Sequence, residues 1–272
     1  MMFRILFASL SVLLLSSCSE YSRVLKSTDI DYKFQKAVEY YEAGECYKSL
    51  PIFEELIGLT RASQKAEEVY YYYAKSQFCI EDYYMANYFL RQFTKTFSNS
   101  PRAEECLFLA AVCSSRLSSE SSLDQTDTRA AIDEFQLFID TYPNSSLRDS
   151  CNNTIMRLGA KLERKEYEIA RLYWQTMKYK SAVVALTDFC KQYPNSQYRE
   201  EAMKLIVESG FEYASNSIPS RRKERYREVM NNYLTFAAAF PESKYLREAE
   251  VYYIRSQKMV DRIDNFTEND NE

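Results

Sequence analysis

The fold of this chain is decided by the stretch that opens with Tyr142-Pro143-Asn144-Ser145 and closes with Tyr193-Pro194-Asn195-Ser196. Between these two corners, residues 147–178 contain no proline and a single glycine, Gly159. Apolar residues recur there at helical spacing, which predicts one helix of roughly 30 residues, about 45 Å long. In each corner proline ends one helix, and Asn or Ser caps the next. A corner that recurs in this way indicates a repeat of helix pairs.

Composition agrees with an almost wholly helical protein, because the 272 residues include only four glycines and six prolines. The chain has no histidine. This removes the usual general base, most zinc sites and any Ser-His or Cys-His dyad. No glycine-rich phosphate loop is present either, so we predict neither an enzyme nor a bound cofactor or metal. A net charge of −4 argues against nucleic acid as a partner.

The repeat pattern extends along the chain and resembles the tetratricopeptide repeat, a helix-turn-helix unit of 34 residues. Residues 163–196 fit it best. The small residue expected at position 20 is supplied in turn by Ser49, Ala86, Ala131, Ala182 and Val229. Insertions near 118–128 and 216–222 lengthen two of the repeats. We therefore predict an all-α, right-handed superhelical solenoid of about five degenerate repeats, with a C-terminal capping helix over 245–260.

The N-terminus reads as an export signal. Arg4 precedes an apolar run over 5–15 that is too short to span a membrane. Leu15-Ser16-Ser17-Cys18 then resembles a bacterial lipobox, which predicts cleavage after residue 17 and acylation of Cys18. The alternative is an ordinary secretory signal with a stray cysteine.

The remaining boundaries follow from these elements. We predict a signal peptide over 1–17, an extended lipidated tether over 18–28 and one repeat domain over 29–260. An acidic tail over 261–272 is predicted to be disordered.

Six further cysteines lie mostly among apolar residues of predicted helices. Cysteine behaves there as a small hydrophobe, so we favour isolated buried thiols. An even number in an exported protein leaves a disulfide framework open as the alternative. These residues are Cys46, Cys79, Cys106, Cys113, Cys151 and Cys190.

Two surfaces are candidates for partner binding. The first helix of each repeat lines the concave face of a superhelix, where aromatic rings beside a cation suit an extended peptide. The peptide-groove candidates are Phe34, Val38, Tyr41, Tyr71, Lys75 and Phe78. Packing between repeats is the alternative use of these rings.

The second surface is a basic stripe on the long helix, formed by Arg157, Lys161, Arg164 and Arg171. It suits an acidic partner, although a solvated face is the commoner explanation. The basic run 221–225 is expected to be a solvated loop.

The whole chain resembles the BamD (YfiO) family of outer-membrane protein assembly lipoproteins, in the tetratricopeptide-repeat superfamily. The resemblance covers roughly 29–245 and is strongest in 138–203, where Arg157-Leu158, Lys161-Leu162 and Lys165-Glu166-Tyr167 follow the Tyr142–Ser145 corner. It departs in the two insertions and in the cysteine content.

This resemblance implies a lipoprotein of the outer membrane, anchored by acyl chains such as palmitate on Cys18 and facing the periplasm. The implied partners are unfolded outer-membrane β-barrel proteins at the first two repeats and a BamA-like barrel subunit at the fourth and fifth. Other lipoproteins of the assembly machine are implied as well. Two alternatives stay open: a generic envelope scaffold associated with peptidoglycan or division, and a glycan-binding lipoprotein of the SusD kind, for which this chain is short.

Overall fold

The computed structural model describes residues 20–269, with side chains over 20–265, and this part of the chain is built from helices. The all-α prediction is confirmed. A first helical segment, α1, covers 20–26. The helices that follow are α2 (Ile30–Glu42), α3 (Cys46–Thr60), α4 (Ala66–Cys79), α5 (Tyr83–Thr96), α6 (Ala103–Leu117), α7 (Thr126–Thr141), α8 (Arg148–Gln175), α9 (Tyr179–Gln192), α10 (Arg199–Ser215), α11 (Pro219–Ala239) and α12 (Leu246–Asn269).

The repeats predicted from the sequence pack as helix pairs. The long helix is α8, with 28 residues. Each position-20 residue lies on the second helix of a pair and is completely buried: Ser49, Ala86, Ala131, Ala182 and Val229. A small side chain is required there because the two helices approach closely. The tetratricopeptide-repeat assignment is therefore confirmed.

The corners between repeats share one hydrogen-bond pattern. In each, the backbone N–H of a serine donates to the carbonyl three residues earlier, and its Oγ accepts from the N–H two residues later. The serine hydroxyl thus closes a turn just before the following helix. The expectation that serine caps that helix is wrong at α4, α6 and α10, where no side chain makes a capping bond. The pattern occurs at Ser63, Ser100, Ser145, Ser196 and Ser243. The first of these corners, Thr60–Ser63, contains neither the aromatic residue nor the proline of the other corners, although the repeat spacing ends the first repeat at about residue 63.

The turn within a helix pair is also shared by three repeats. Gly44, Glu81 and Met177 each have a positive φ, of 77°, 62° and 57°. Each lies two residues beyond the end of the first helix, and the last carbonyls of that helix accept from the backbone N–H groups of this residue and the next. This arrangement is the Schellman motif, in which glycine is usual. The third and fifth repeats carry their insertions at the same place.

The predicted extended tether is wrong over residues 20–26, which form α1. Val24 is completely buried in the core of the first helix pair. The Tyr21 ring packs against Tyr40, with 5.6 Å between centroids, and its hydroxyl donates to the Lys48 carbonyl at 3.3 Å. These contacts bury apolar surface that an extended segment would leave in water.

The C-terminal helix is longer than predicted. The sequence analysis ends it near Val260 and predicts disorder beyond, whereas α12 continues to Asn269. The extension is held because Ile263 packs against the core of the last repeat and Lys223 forms an ion pair with Asp264.

The described chain divides into two compact units, with the boundary between Gly159 and Ala160, inside α8. From the sequence we predict one repeat domain over 29–260. The first unit has cores between α1, α2, α3 and α4, between α4, α5 and α6, and between α6, α7 and α8. The second has cores around α8, α9 and α10 and around α10, α11 and α12.

The preference for isolated thiols is wrong for one pair, because Cys46 and Cys79 form a disulfide, with 6.1 Å between their Cα atoms. The first residue of α3 meets the last residue of α4 there, a proximity that Cys spacing alone does not indicate. The other four cysteines of the described chain are free thiols: Cys106, Cys113 and Cys151 are buried and Cys190 is half-buried. Burial raises the pKa of Cys106 and of Cys113 to about 12.

Candidate functional site

The first unit contains a mixed aromatic and ionic group of side chains on its first helices. The Tyr71 hydroxyl donates to Oε2 of Glu105 at 2.8 Å, and the Lys75 ammonium donates to Oε1 of the same carboxylate. The guanidinium of Arg102 lies over the Tyr71 ring, 4.7 Å from its centroid. We call Tyr41, Tyr71, Lys75, Arg102 and Glu105 the Glu105 cluster. It joins α4 to α6, the first helices of two successive repeats.

The repeat itself explains why these side chains meet. Glu105 follows Tyr71 by 34 residues, the length of one repeat, so equivalent positions of neighbouring first helices are adjacent. The same separation joins Asp31 to Lys65 and Glu68 to Arg102. Tyr71 and Lys75, four residues apart, lie on one face of α4.

Most of the aromatic groove candidates are brought together by a residue that the sequence analysis did not single out, Tyr72. Its ring centroid lies 6.0 Å from that of Phe34, 5.5 Å from that of Tyr41 and 5.3 Å from that of Tyr71. Val38 packs in the same core as Phe34 and Tyr41. These side chains are half-buried. Packing between the first two repeats therefore uses part of each ring and leaves the remainder accessible.

Phe78, the last groove candidate, lies apart from this group. Its ring packs edge-on against Tyr83 of α5, with 5.8 Å between centroids, in the core between α4, α5 and α6. It belongs to the turn within the second repeat.

The Glu105 cluster is electrostatically paired. Burial alone would raise the pKa of the Glu105 carboxyl. Hydrogen bonds from Lys75 and Tyr71 lower the pKa by more than burial raises it, so the net shift is downward. Burial lowers the pKa of Lys75, and the bond to Glu105 reverses this to a net rise. Burial and the bond to Glu105 both raise the pKa of Tyr71. The site thus holds a carboxylate and an ammonium at neutral pH.

This pairing changes the role expected of Lys75. The sequence predicts a cation available to a bound peptide beside the aromatic rings, but Glu105 already pairs with the Lys75 ammonium. The Glu105 side chain remains 44% exposed. An incoming peptide therefore meets hydrogen-bond donors and an acceptor side by side, which suits the alternating N–H and C=O groups of an extended backbone.

The four residues of the basic stripe all lie on α8, at intervals that place them on one face. Arg157 is in the first unit, and Lys161, Arg164 and Arg171 are in the second. Arg164 donates to Glu168 at 2.7 Å within the helix, and Arg171 lies 3.9 Å from Glu201 of α10. Arg157 and Arg164 are exposed, while Lys161 and Arg171 are half-buried.

The basic run 221–225 was expected to be a loop, but it forms part of the first turns of α11. Two of its arginines contact residues at or just after the end of α10. Arg222 donates to the Ser217 carbonyl at 2.7 Å, and the Arg225 guanidinium lies 4.0 Å from the Tyr213 ring centroid.

Cys18 and the signal sequence lie outside the described residues. Within 20–269, no helix combines the length and the apolar character needed to cross a bilayer. The same residues contain no group of metal-ligating side chains.

The sequence of this chain matches that of a known protein family. Residues 28–214 match the sequence profile of the YfiO family, described as an outer membrane lipoprotein. The chain belongs to this family and is an outer-membrane lipoprotein of the tetratricopeptide-repeat type. No curated protein matches it significantly.

Solved structures of tetratricopeptide-repeat proteins are similar in outline. One is the complex of the TPR2AB domain of yeast Sti1 with pHSP90, at 13% identity, a TM-score of 0.41 and coverage of 84% of this chain and 98% of that one. Another is the TPR domain of P58(IPK), at 12% identity, a TM-score of 0.40 and coverage of 95% and 68%.

Proposed function

We propose that this lipoprotein is a periplasm-facing scaffold of the β-barrel assembly machinery, which receives unfolded outer-membrane proteins and presents them to the central barrel subunit. Membership of the YfiO family supports the location. The observation that carries substrate binding is the Glu105 cluster, half-buried and lined by Tyr71, Tyr72 and Tyr41.

In this proposal an unfolded strand binds at the first two repeats and at α6, the first helix of the third repeat, which carries Glu105. Its backbone groups exchange hydrogen bonds with Glu105, Tyr71 and Lys75, and its aromatic side chains pack on the exposed edges of the tyrosine rings. Rings contribute contact area at a small entropic cost because they have only two rotatable bonds. Since Lys75 and Glu105 are already paired, binding replaces one set of polar contacts by another and leaves no buried charge alone.

Docking of the barrel subunit is assigned to the basic stripe. Arg157 and Arg164 are exposed, and an acidic periplasmic domain would be steered to them electrostatically. Acylation of Cys18, with palmitate among the chains, holds the protein in the outer membrane.

Substrate binding is tested with the full mature chain and a fluorescent peptide taken from a transmembrane β-strand. Lys75→Met is expected to weaken binding at least fivefold, measured by fluorescence anisotropy. Lys204→Met is the matched control, because Lys204 is also a half-buried lysine, with contacts to Glu208 at 2.8 Å and Glu248 at 2.7 Å in the second unit. Equal affinities of the two variants would remove the Glu105 cluster from substrate binding.

Docking is tested by affinity capture from detergent-solubilised envelope. Reversal of Arg157, Lys161 and Arg164 to glutamate is expected to abolish recovery of the barrel subunit. Reversal of the exposed residues Arg227, Arg247 and Lys258 is the control for net charge. Unchanged capture would remove the stripe from docking. If depletion of the protein left outer-membrane barrel levels normal, the generic envelope scaffold would replace the assembly role.

A further inference from the structure

We propose that the first repeat lies directly on the membrane surface, with one face of α1 and the start of α3 in the lipid headgroup region. This membrane face consists of Arg23, Leu25, Lys26 and Tyr47. The inference rests on the proposed acylation of Cys18, and it adds an orientation that an acyl anchor on a flexible tether would not give.

The short helix α1 is packed against the first repeat and is not a free linker. Val24 is completely buried. Tyr21 is held by its ring contact with Tyr40 and by its hydrogen bond to the Lys48 carbonyl. The carboxylate of Glu20 lies 3.1 Å from the Lys36 ammonium. The chain is thus fixed to the repeat from its first described residue.

The distance to the anchor is therefore short. Cys18 precedes Glu20 by two residues, which span at most about 7 Å even when extended. Since the acyl chains on Cys18 enter the hydrocarbon, the cysteine lies among the headgroups, in a layer about 5–7 Å thick on each side of the hydrocarbon core. The first turn of α1 must lie in or just above the same layer.

The residues around this point suit such a layer. Tyr47 is 77% exposed and Leu25 is 39% exposed, although both are large apolar side chains. Tyr47 adjoins Lys48, whose carbonyl accepts the Tyr21 hydroxyl, so the start of α3 lies beside α1. Tyrosine is enriched at membrane interfaces because its ring is apolar and its hydroxyl stays wet.

Charge at this face does not oppose the contact. Arg23 and Lys26 are exposed on α1 and complement lipid phosphate groups. The carboxylates of Glu20, on α1, and Glu45, just before α3, are paired with lysines: Glu20 with Lys36, and Glu45 with Lys48 at 2.8 Å. Repulsion between these carboxylates and anionic headgroups is therefore reduced.

The test uses tryptophan fluorescence in proteoliposomes that contain the acylated mature chain and dibrominated phosphatidylcholine, which quenches rings at the interface. The single native tryptophan is removed by Trp174→Phe. Tyr47→Trp and Leu25→Trp each report on the membrane face. Leu137→Trp is the matched control, because Leu137 is 47% exposed on α7 of the same unit. Fractional quenching at residues 47 and 25 is expected to be at least threefold greater than at 137.

Flotation of the vesicles tests the lipid anchor separately from the membrane face. Protein that floats but is quenched equally at 47, 25 and 137 would overturn the membrane face while leaving the lipid anchor in place. Protein that does not float would overturn the acylation of Cys18 and, with it, the orientation. Two independent reporters at exposed positions keep the result from depending on the folding of one variant.

Discussion

Cγ2 of Val229 lies 3.2 Å from the position that a Cβ atom would occupy on Gly210. Gly210 is on α10 and Val229 on α11, the two helices of the fifth repeat. The other repeats place Ser or Ala at the position of Val229. The fifth repeat instead has the larger residue on the second helix, and the first helix accommodates it with glycine.

This relationship predicts a strong coupling between the two positions. Gly210→Ala is expected to destabilise the second unit by about 1 kcal/mol, because crowding of the new methyl group against the buried Val229 side chain outweighs the helix propensity gained by alanine. In a Val229→Ala background the same change is expected to cost less, since the overlapping atom is gone. Denaturant unfolding followed by the fluorescence of Trp174, which packs in the second unit, measures both.

Gly159→Ala is the control for these variants. Gly159 also lies inside a helix, but nothing is within 4 Å of its Cβ position. Alanine there is expected to increase stability by up to about 1 kcal/mol through helix propensity. Equal effects of alanine at 159 and 210 would contradict the steric argument.

The helix pairs were predictable because their signals are local. Proline, the serines of the corners and the small residues Ala86, Ala131 and Ala182 all act over a few neighbouring residues. The corner at Ser63 has the same hydrogen bonds as the other corners but lacks their aromatic residue and proline, so only the repeat spacing points to it. Tyr72 and Glu105 were missed. Their roles depend on which residues of the next repeat lie opposite them, and the sequence gives only the spacing of 34.

The backbone conformation of two turns could not be predicted from the sequence either. Glu81 and Met177 occupy left-handed turns, yet neither residue type indicates one. Gly44, at the equivalent position of the first repeat, is the residue that the turn favours. Met177→Gly is expected to stabilise the second unit by about 1 kcal/mol, since glycine has no Cβ to strain the left-handed conformation. The Met177 side chain is 73% exposed, so little packing is lost.

The measurement is again denaturant unfolding of the second unit. Leu234→Gly serves as the control, because Leu234 is 53% exposed in the interior of α11, in the second unit. Glycine there is expected to be destabilising by about 1 kcal/mol. A loss of stability in both variants would show that the turn does not favour glycine.

The disulfide between Cys46 and Cys79 closes a loop of 33 residues in sequence separation. Replacement of both cysteines by serine is expected to destabilise the first unit by about 3 kcal/mol, mainly by freeing the unfolded chain. Reductant should lower the stability of the native protein and leave the double variant unchanged. An equal effect of reductant on both proteins would contradict the assignment, as would two additional free thiols in unreduced native protein by mass spectrometry.

Glu105 predicts a specific acid response of the first unit. Its folded pKa lies below its ordinary value of 4.5, so the ionised carboxylate stabilises the fold above that pH, and this contribution is lost as the pH falls through the folded value. Lys75 has a raised pKa, so its contribution is present below about 10.5 and is lost only at more alkaline pH. Both contributions are therefore complete between about pH 5 and pH 10.

Glu105→Gln is expected to lower the melting temperature at pH 7 and to leave it nearly equal to that of the parent protein at pH 3. Because the side chain is 44% exposed, the difference at pH 7 should correspond to about 1 kcal/mol or less. Glu242→Gln, an exposed carboxylate in the last corner, is the control and should follow the parent protein throughout. The measurement is a series of melting curves recorded every half pH unit. A difference in melting temperature between Glu105→Gln and the parent protein that does not change with pH would mean that the charge of Glu105 contributes nothing to stability.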